Sequence, residues 1–205
     1  MSAKKKGKKI AIISALITLI SFLYKVSLAY LLMSIIFFIG AISTLMVFIC
    51  KVLFVRNVDK RRGNKKRAYF IMMLAVFIYS LIFVAFSVFK INGIDISKEI
   101  EFDGLLGILF MSLLLVLFIL SLIGLKGALE KTDLMVIGLK EITFVSALAD
   151  LVMIEKFVSL LIIKYKDIEN IDIFNNYFAI GTGCFMFLIF IFMLIRFMKY
   201  KTKTN

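Results

Sequence analysis

Long, unbroken apolar runs separated by short charged segments make up almost the whole chain. Hydropathy delimits six of them: Ile10 to Tyr24, Leu28 to Phe54, Ala68 to Phe89, Gly104 to Leu125, Leu134 to Ile163 and Tyr177 to Met198. The runs are continuous and do not alternate apolar with polar, which predicts helices and excludes a transmembrane β-barrel. A continuous apolar stretch of about 18 residues or more can cross a bilayer, where each backbone polar group has to be satisfied within its own segment. The expected fold is all-α, an integral membrane bundle of six transmembrane helices. The first run is short for a span, but Lys8, Lys9 and Lys25 can snorkel at its ends, which places the turn into the second run near Lys25 with no Pro or Gly to mark it. The same segment also has the form of a cleaved signal peptide, with a basic start, a short apolar stretch, and Ser27 and Ala29 as the small residues before the cleavage point. Cleavage there would leave five helices in unchanged orientation.

Composition agrees with the pattern. The chain is 62% hydrophobic, with 22 Phe and 11 Met and no Pro, Trp or His, against the roughly half-apolar make-up of soluble domains. The net charge of +13 raises the question of nucleic acid, and its distribution answers it. Lys4, Lys5, Lys6, Lys8 and Lys9 begin the chain, Arg56, Lys60, Arg61, Arg62, Lys65, Lys66 and Arg67 crowd one loop, and Arg196, Lys199, Lys201 and Lys203 end it. All three clusters flank spans and no aromatic platform accompanies them, so no nucleic-acid partner is expected.

Lys and Arg gather on the cytoplasmic side of spans. With six helices and an internal N-terminus, both tails, the Arg56 to Arg67 loop and the Lys126 to Lys131 loop lie inside. Outside lie the Lys25 turn, the loop bearing Asp95, Glu99, Glu101 and Asp103, and the segment with Asp167, Glu169 and Asp172. The chain thus divides into a basic cytoplasmic tail over 1–9, one transmembrane helical domain over 10–198 and a second basic tail over 199–205. No repeat is evident, and no loop is long enough for a soluble domain.

One run carries charge. Asp150 sits inside Leu134 to Ile163, with Lys140 and Glu141 before it and Glu155 and Lys156 after it. Intramembrane charge is expensive and faces a bundle interior or a water cavity, which makes it a functional-site candidate. On a helix Thr143, Ser146 and Asp150 share one stripe, and Ser146 is placed to donate to Asp150. This stripe reads either as a cation or proton site or as a hydrogen-bonded contact between helices. Glu155 and Lys156 are neighbours that point about 100° apart and cannot pair face to face; they are expected near the outer interface. In the last run Ala179, Gly181 and Gly183 are candidates for close helix packing, as are the spaced pairs Gly104 with Gly107 and Gly124 with Gly127.

Absences argue against an enzyme. With no His and with Cys50 and Cys184 in separate apolar runs, neither a metal site, a haem site nor a disulfide framework assembles, and no cofactor is expected. An intramembrane aspartyl protease would need a second mid-membrane Asp beside Asp150, and Lys140 stands about 15 Å along the helix, too far to serve as its acid-base partner.

The stretch from Gly138 to Phe157, with Ser146-Ala147-Leu148 at its centre and preceded by Gly124 to Lys131, resembles a motif of small polytopic membrane proteins from low-GC Gram-positive bacteria. The spacing of the earlier runs is similar too. Glu155-Lys156 departs from the pattern, standing where that family has a neutral Gln-Thr pair. The resemblance implies a multi-helix bundle in a bacterial plasma membrane and no particular activity. Taken together, these features point to a non-enzymatic accessory, regulatory or interaction subunit. Its expected partners are the lipid bilayer and a membrane protein or a second copy of the chain. The alternative is a small transporter or channel-like protein using Asp150.

The charge asymmetry predicts that single cysteines placed near Glu99 and Asn170, in a variant lacking Cys50 and Cys184, react with an impermeant thiol reagent added outside intact cells, while one at Asn64 is protected. Labelling at Asn64 from outside would overturn the arrangement.

Overall fold

The computed structural model describes residues 3–31, 35–58, 62–91, 104–130, 133–165 and 171–202. Six helices account for nearly all of them: α1 Ala3–Leu31, α2 Ile35–Asn57, α3 Arg62–Ile91, α4 Gly104–Leu129, α5 Leu134–Tyr165 and α6 Ile171–Thr202. No strand occurs among the described residues. The acidic loop with Asp95, Glu99, Glu101 and Asp103, and the pair Asp167 and Glu169, lie outside them.

Five helices are long and apolar enough to cross a membrane, through Ala11–Tyr30, Phe37–Asn57, Gly63–Phe89, Met111–Leu129 and Phe174–Tyr200. The chain is a polytopic α-helical membrane protein. The exception is α5, whose 32 residues rise about 48 Å and have ample length. Its charges set it apart, and its position accounts for them, because α5 packs against α2, α3, α4 and α6 and is the most enclosed of the six. Buried Met135, Ile142, Val145 and Leu148 join Tyr69, Met72 and Val76 of α3 and Met186 and Met193 of α6 in one core. By contrast, among the described residues α1 packs chiefly on α2, and α4 chiefly on α5. Both peripheral helices leave large apolar side chains on the outside, among them Ile17, Ile20, Leu109, Leu120 and Ile123, as a lipid-facing surface requires.

Cross-helix contacts show that sequential helices run up and down. Lys51 of α2 meets Ser14 and Thr18 near the start of α1, while Lys25 farther along α1 reaches the level of Gly40. Tyr69 of α3 meets Met193 of α6, and Phe83 and Val84 lie against Gly183. The start of α1, the junction of α2 with α3, the junction of α4 with α5 and the end of α6 therefore share one end of the bundle, which is where the basic clusters fall.

The expected turn near Lys25 is not there. α1 continues through Lys25 to Leu31, and its apolar span covers Ala11–Tyr30, longer than the Ile10 to Tyr24 run. Nothing in the local sequence interrupts a helix at that point, since neither Pro nor Gly intervenes. Lys25 is an interior residue of α1, not its boundary.

Small residues act at particular crossings. A Cβ built on Gly183 would stand 2.6 Å from Val84 Cγ2, and one on Gly138 would stand 2.7 Å from the ring of fully buried Tyr69. Ala179 rests partly buried against the core. Gly181 does not belong with them, because it is exposed and a Cβ there would meet nothing within 4 Å; two residues along from both Ala179 and Gly183, it points to another side of the helix. Replacing Gly183 by Leu is expected to destabilise the bundle by about 1–3 kcal/mol through overpacking, whereas Gly181→Leu is expected to leave it within about 0.5 kcal/mol. Detergent-solubilised thermal unfolding compares the two, and equal effects would disprove the assignment of Gly183 to the α3 contact.

Candidate functional site

Asp150 lies at the midpoint of α5 and is buried, with 7% of its surface exposed. The group that meets it comes from α1: Lys25 Nζ donates to Asp150 Oδ1 at 2.5 Å, and Lys25 is itself only 3% exposed. Among the described residues the backbones of α1 and α5 do not approach each other, so the long lysine side chain makes the connection. Lys25 crosses the gap past α2 at Gly40, where a Cβ would stand 2.9 Å from Met153 Sδ and 4.0 Å from Lys25 Cδ. A side chain at that point would have to displace the end of Met153, while it would only touch the lysine stem.

Around the pair the stripe Thr143, Ser146, Asp150 is rearranged from its sequence reading. Ser43 of α2 donates to the Gly40 carbonyl at 2.8 Å, and Ser146 Oγ lies 3.1 Å from Ser43 Oγ. Ser146 therefore pairs with Ser43 across the α2–α5 contact. Thr143 donates to Leu139 O one turn back within α5, at 2.8 Å, and takes no part in the site. A hydroxyl on a helix has that local carbonyl in reach, which accounts for Thr143, whereas Ser146 is drawn to a hydroxyl of another helix that shared-face spacing does not reveal. Tyr79 of α3 closes the layer, with its hydroxyl 3.5 Å from Ile39 O.

A second ionic centre sits toward the basic end. Glu141, 3% exposed, pairs with Arg196 of α6 and accepts a hydrogen bond from Tyr69 Oη of α3 at 3.2 Å. The three groups come from α5, α6 and α3 and join those helices across one level. Next to it, Lys140 takes the room left by Gly124, where a Cβ would come within 3.0 Å of Lys140 Nζ. Lys51 donates to Thr18 Oγ1 at 2.5 Å and to Ser14 O at 3.2 Å, which ties α2 to α1.

At the opposite end Glu155 and Lys156 are half-buried and line a cavity of about 30 Å³ with Ser87, Asn175 and Asn176. Ser159 Oγ lies 3.1 Å from Glu155 Oε1 and 2.7 Å from Asn175 Oδ1. The cavity has room for about one water molecule. Among the described residues no group of His, Cys, Asp and Glu could hold a metal ion.

Lys25, Arg196 and Tyr69 were not singled out from the sequence. A signal was available for the first: once α1 is taken as unbroken, Lys25 falls inside a span, where an ammonium requires a counter-charge, and Asp150 is the carboxylate at matching depth. Nothing in the sequence assigned Arg196 to Glu141, because that pairing depends on α6 crossing α5.

No protein-family model matches the chain, and no curated protein or solved structure matches it either.

Removing one member of a buried ion pair leaves the other charge uncompensated, at about 3–5 kcal/mol, whereas replacing both by apolar residues is often neutral. Lys25→Met and Asp150→Leu are each expected to destabilise the protein by that amount, and the double variant to recover most of the loss. Unfolding of the four proteins in one detergent forms the thermodynamic cycle. Additive losses would show that the two side chains do not interact.

Proposed function

We propose that this protein is a non-enzymatic accessory subunit of a bacterial plasma membrane, with both termini cytoplasmic, that works through contacts with another membrane protein or a second copy of itself. The observation that carries this reading is the closure of the interior. Asp150 is taken by Lys25, Glu141 by Arg196 and Tyr69, and the cavity beside Glu155 has room for about one water. A carboxylate already neutralised at 2.5 Å is poorly disposed to bind a travelling cation. The ionic pairs join helices, and what remains to engage a partner is the outer apolar surface of α1 and α4. The likeness of Gly138 to Phe157 to small polytopic proteins of Gram-positive bacteria supports the bacterial setting. The absence of His and of a paired catalytic carboxylate supports a role without chemistry. Because α1 supplies Lys25, the reading requires it to stay in the mature protein and not to be removed as a signal peptide.

A second reading has its own support. Glu141, Ser146, Asp150 and Glu155 place polar side chains at intervals along about 20 Å of α5, and columns of this kind carry protons in transporters. In that case Asp150 would exchange its proton or cation with Lys25 as the competing counter-charge.

Reconstitution separates the two. In proteoliposomes with an imposed pH or cation gradient, the purified protein is expected to pass no more protons, Na⁺ or K⁺ than empty vesicles do, and Asp150→Asn is expected to change nothing. Flux abolished by Asp150→Asn in a protein that remains folded would overturn the accessory reading in favour of transport. Affinity purification in mild detergent is expected to yield a stoichiometric membrane-protein partner or a homo-oligomer.

A further inference from the structure

At the basic end of the bundle, the first turns of α3 and the last turns of α6 enclose an open groove of about 550 Å³, lined by Gly63, Lys66, Arg67, Phe70, Ile71 and Phe197. Its chemistry changes along its length. Lys66 and Arg67 stand at one level, and one turn deeper Phe70 and Ile71 are each nearly half exposed. Phe197 forms the opposite wall, with its ring 5.7 Å from that of Phe70 and the Lys66 ammonium 5.3 Å from its centroid. Gly63 leaves the mouth open, since a Cβ there would meet nothing within 4 Å.

We infer that this groove binds one anionic phospholipid, its phosphate held by Lys66 and Arg67 and an acyl chain laid along Phe70, Ile71 and Phe197. Charge complementarity selects the headgroup. Among the described residues neither cation meets a carboxylate, while the adjacent Lys65 is turned away to Asp133 at 2.8 Å. Depth selects a lipid over a free phosphate. The apolar span of α3 runs through Gly63–Phe89 and is longer than the roughly 20 residues that cross the hydrocarbon. Its first turns therefore lie at the headgroup level, with Phe70 and Ile71 just beneath. A soluble phosphate would gain the two cations but leave the apolar floor in contact with water. Basic pockets between membrane helices bind anionic headgroups for these same reasons. The inference is independent of the role proposed above, since it concerns neither the interior ion pairs nor the faces of α1 and α4.

The test uses the full chain in detergent, with native mass spectrometry counting bound lipid as phosphatidylglycerol or phosphatidylcholine of identical acyl chains is added. One phosphatidylglycerol is expected to bind well ahead of the rest, and phosphatidylcholine about tenfold or more weakly. Lys66→Gln combined with Arg67→Gln is expected to weaken phosphatidylglycerol about tenfold or more, while Arg56→Gln, an exposed charge at the same end, leaves it unchanged. Arg67→Gln alone retains the Lys66 contact with Phe197, so a loss of binding in that variant cannot be ascribed to a disturbed α6. Gly63→Trp, with both charges intact, is expected to block the groove. Equal affinity for the two lipids, equal losses from Arg56→Gln and from the double variant, or full displacement by millimolar inorganic phosphate would each overturn the inference.

Discussion

An ammonium and a carboxylate cannot be left singly in hydrocarbon, so Lys25 and Asp150 have to find each other. Their contact constrains much of the bundle. It joins α1 to α5, it fixes how far along α2 the two helices lie, and it passes α2 beside Gly40, whose missing side chain leaves room for Met153. Ser43, one turn from Gly40, then carries the hydroxyl that meets Ser146. The arrangement around Asp150 therefore follows from one electrostatic requirement and from the space needed to satisfy it. Buried ion pairs contribute little net stability because desolvation offsets attraction. Their effect here is specificity, because a different register or rotation of α1 would strand both charges.

The pair formed by Glu141 and Arg196 acts similarly at another level, with Tyr69 as a third member, and draws α3 and α6 onto α5. Between these two levels the core is filled by apolar side chains, many of them Met, whose unbranched stems fit irregular gaps between crossing helices. The outcome is a hub helix that carries its charges because it is enclosed, and two peripheral helices whose outer faces remain apolar, Lys25 of α1 being turned inward. In lipid there is no hydrophobic drive to bring helices together, and close packing and interhelical polar contacts take its place. Gly138 against Tyr69 and Gly183 against Val84 are the packing half of that balance.

The ends of the bundle differ in the same physical sense. Basic residues from four chain segments gather at one end, while Glu155, Asn175 and Asn176 surround a small cavity toward the other. The basic end meets the bilayer through side chains that combine a cationic tip with an apolar or aromatic neighbour, as Lys66 does over Phe197. Such groups are at ease where headgroups give way to acyl chains. Anchoring of this kind holds depth and tilt, and leaves the interior pairs to hold rotation and register.

How much was legible in the sequence depended on the range of the interaction responsible. Helix existence, the all-α class and the membrane setting are properties of single segments, since a long apolar run has to satisfy its own backbone, and all were readable from hydropathy. The charges of α5 implied a bundle interior or a water cavity beside it, and Asp150 stood out because a carboxylate there has no local explanation. Two local rules then failed. The charge on Lys25 has the look of a helix boundary although nothing breaks the helix there, and a shared stripe pairs Ser146 with Asp150 although its hydrogen-bond partner is Ser43 of another helix. Which helix faces which, and with what rotation, is decided by side chains far apart in the chain: Lys25 with Asp150, Tyr69 and Arg196 with Glu141, Val84 with Gly183. Those partnerships belong to no segment, because each exists only when two helices cross at one depth, and so the tertiary structure alone could decide them.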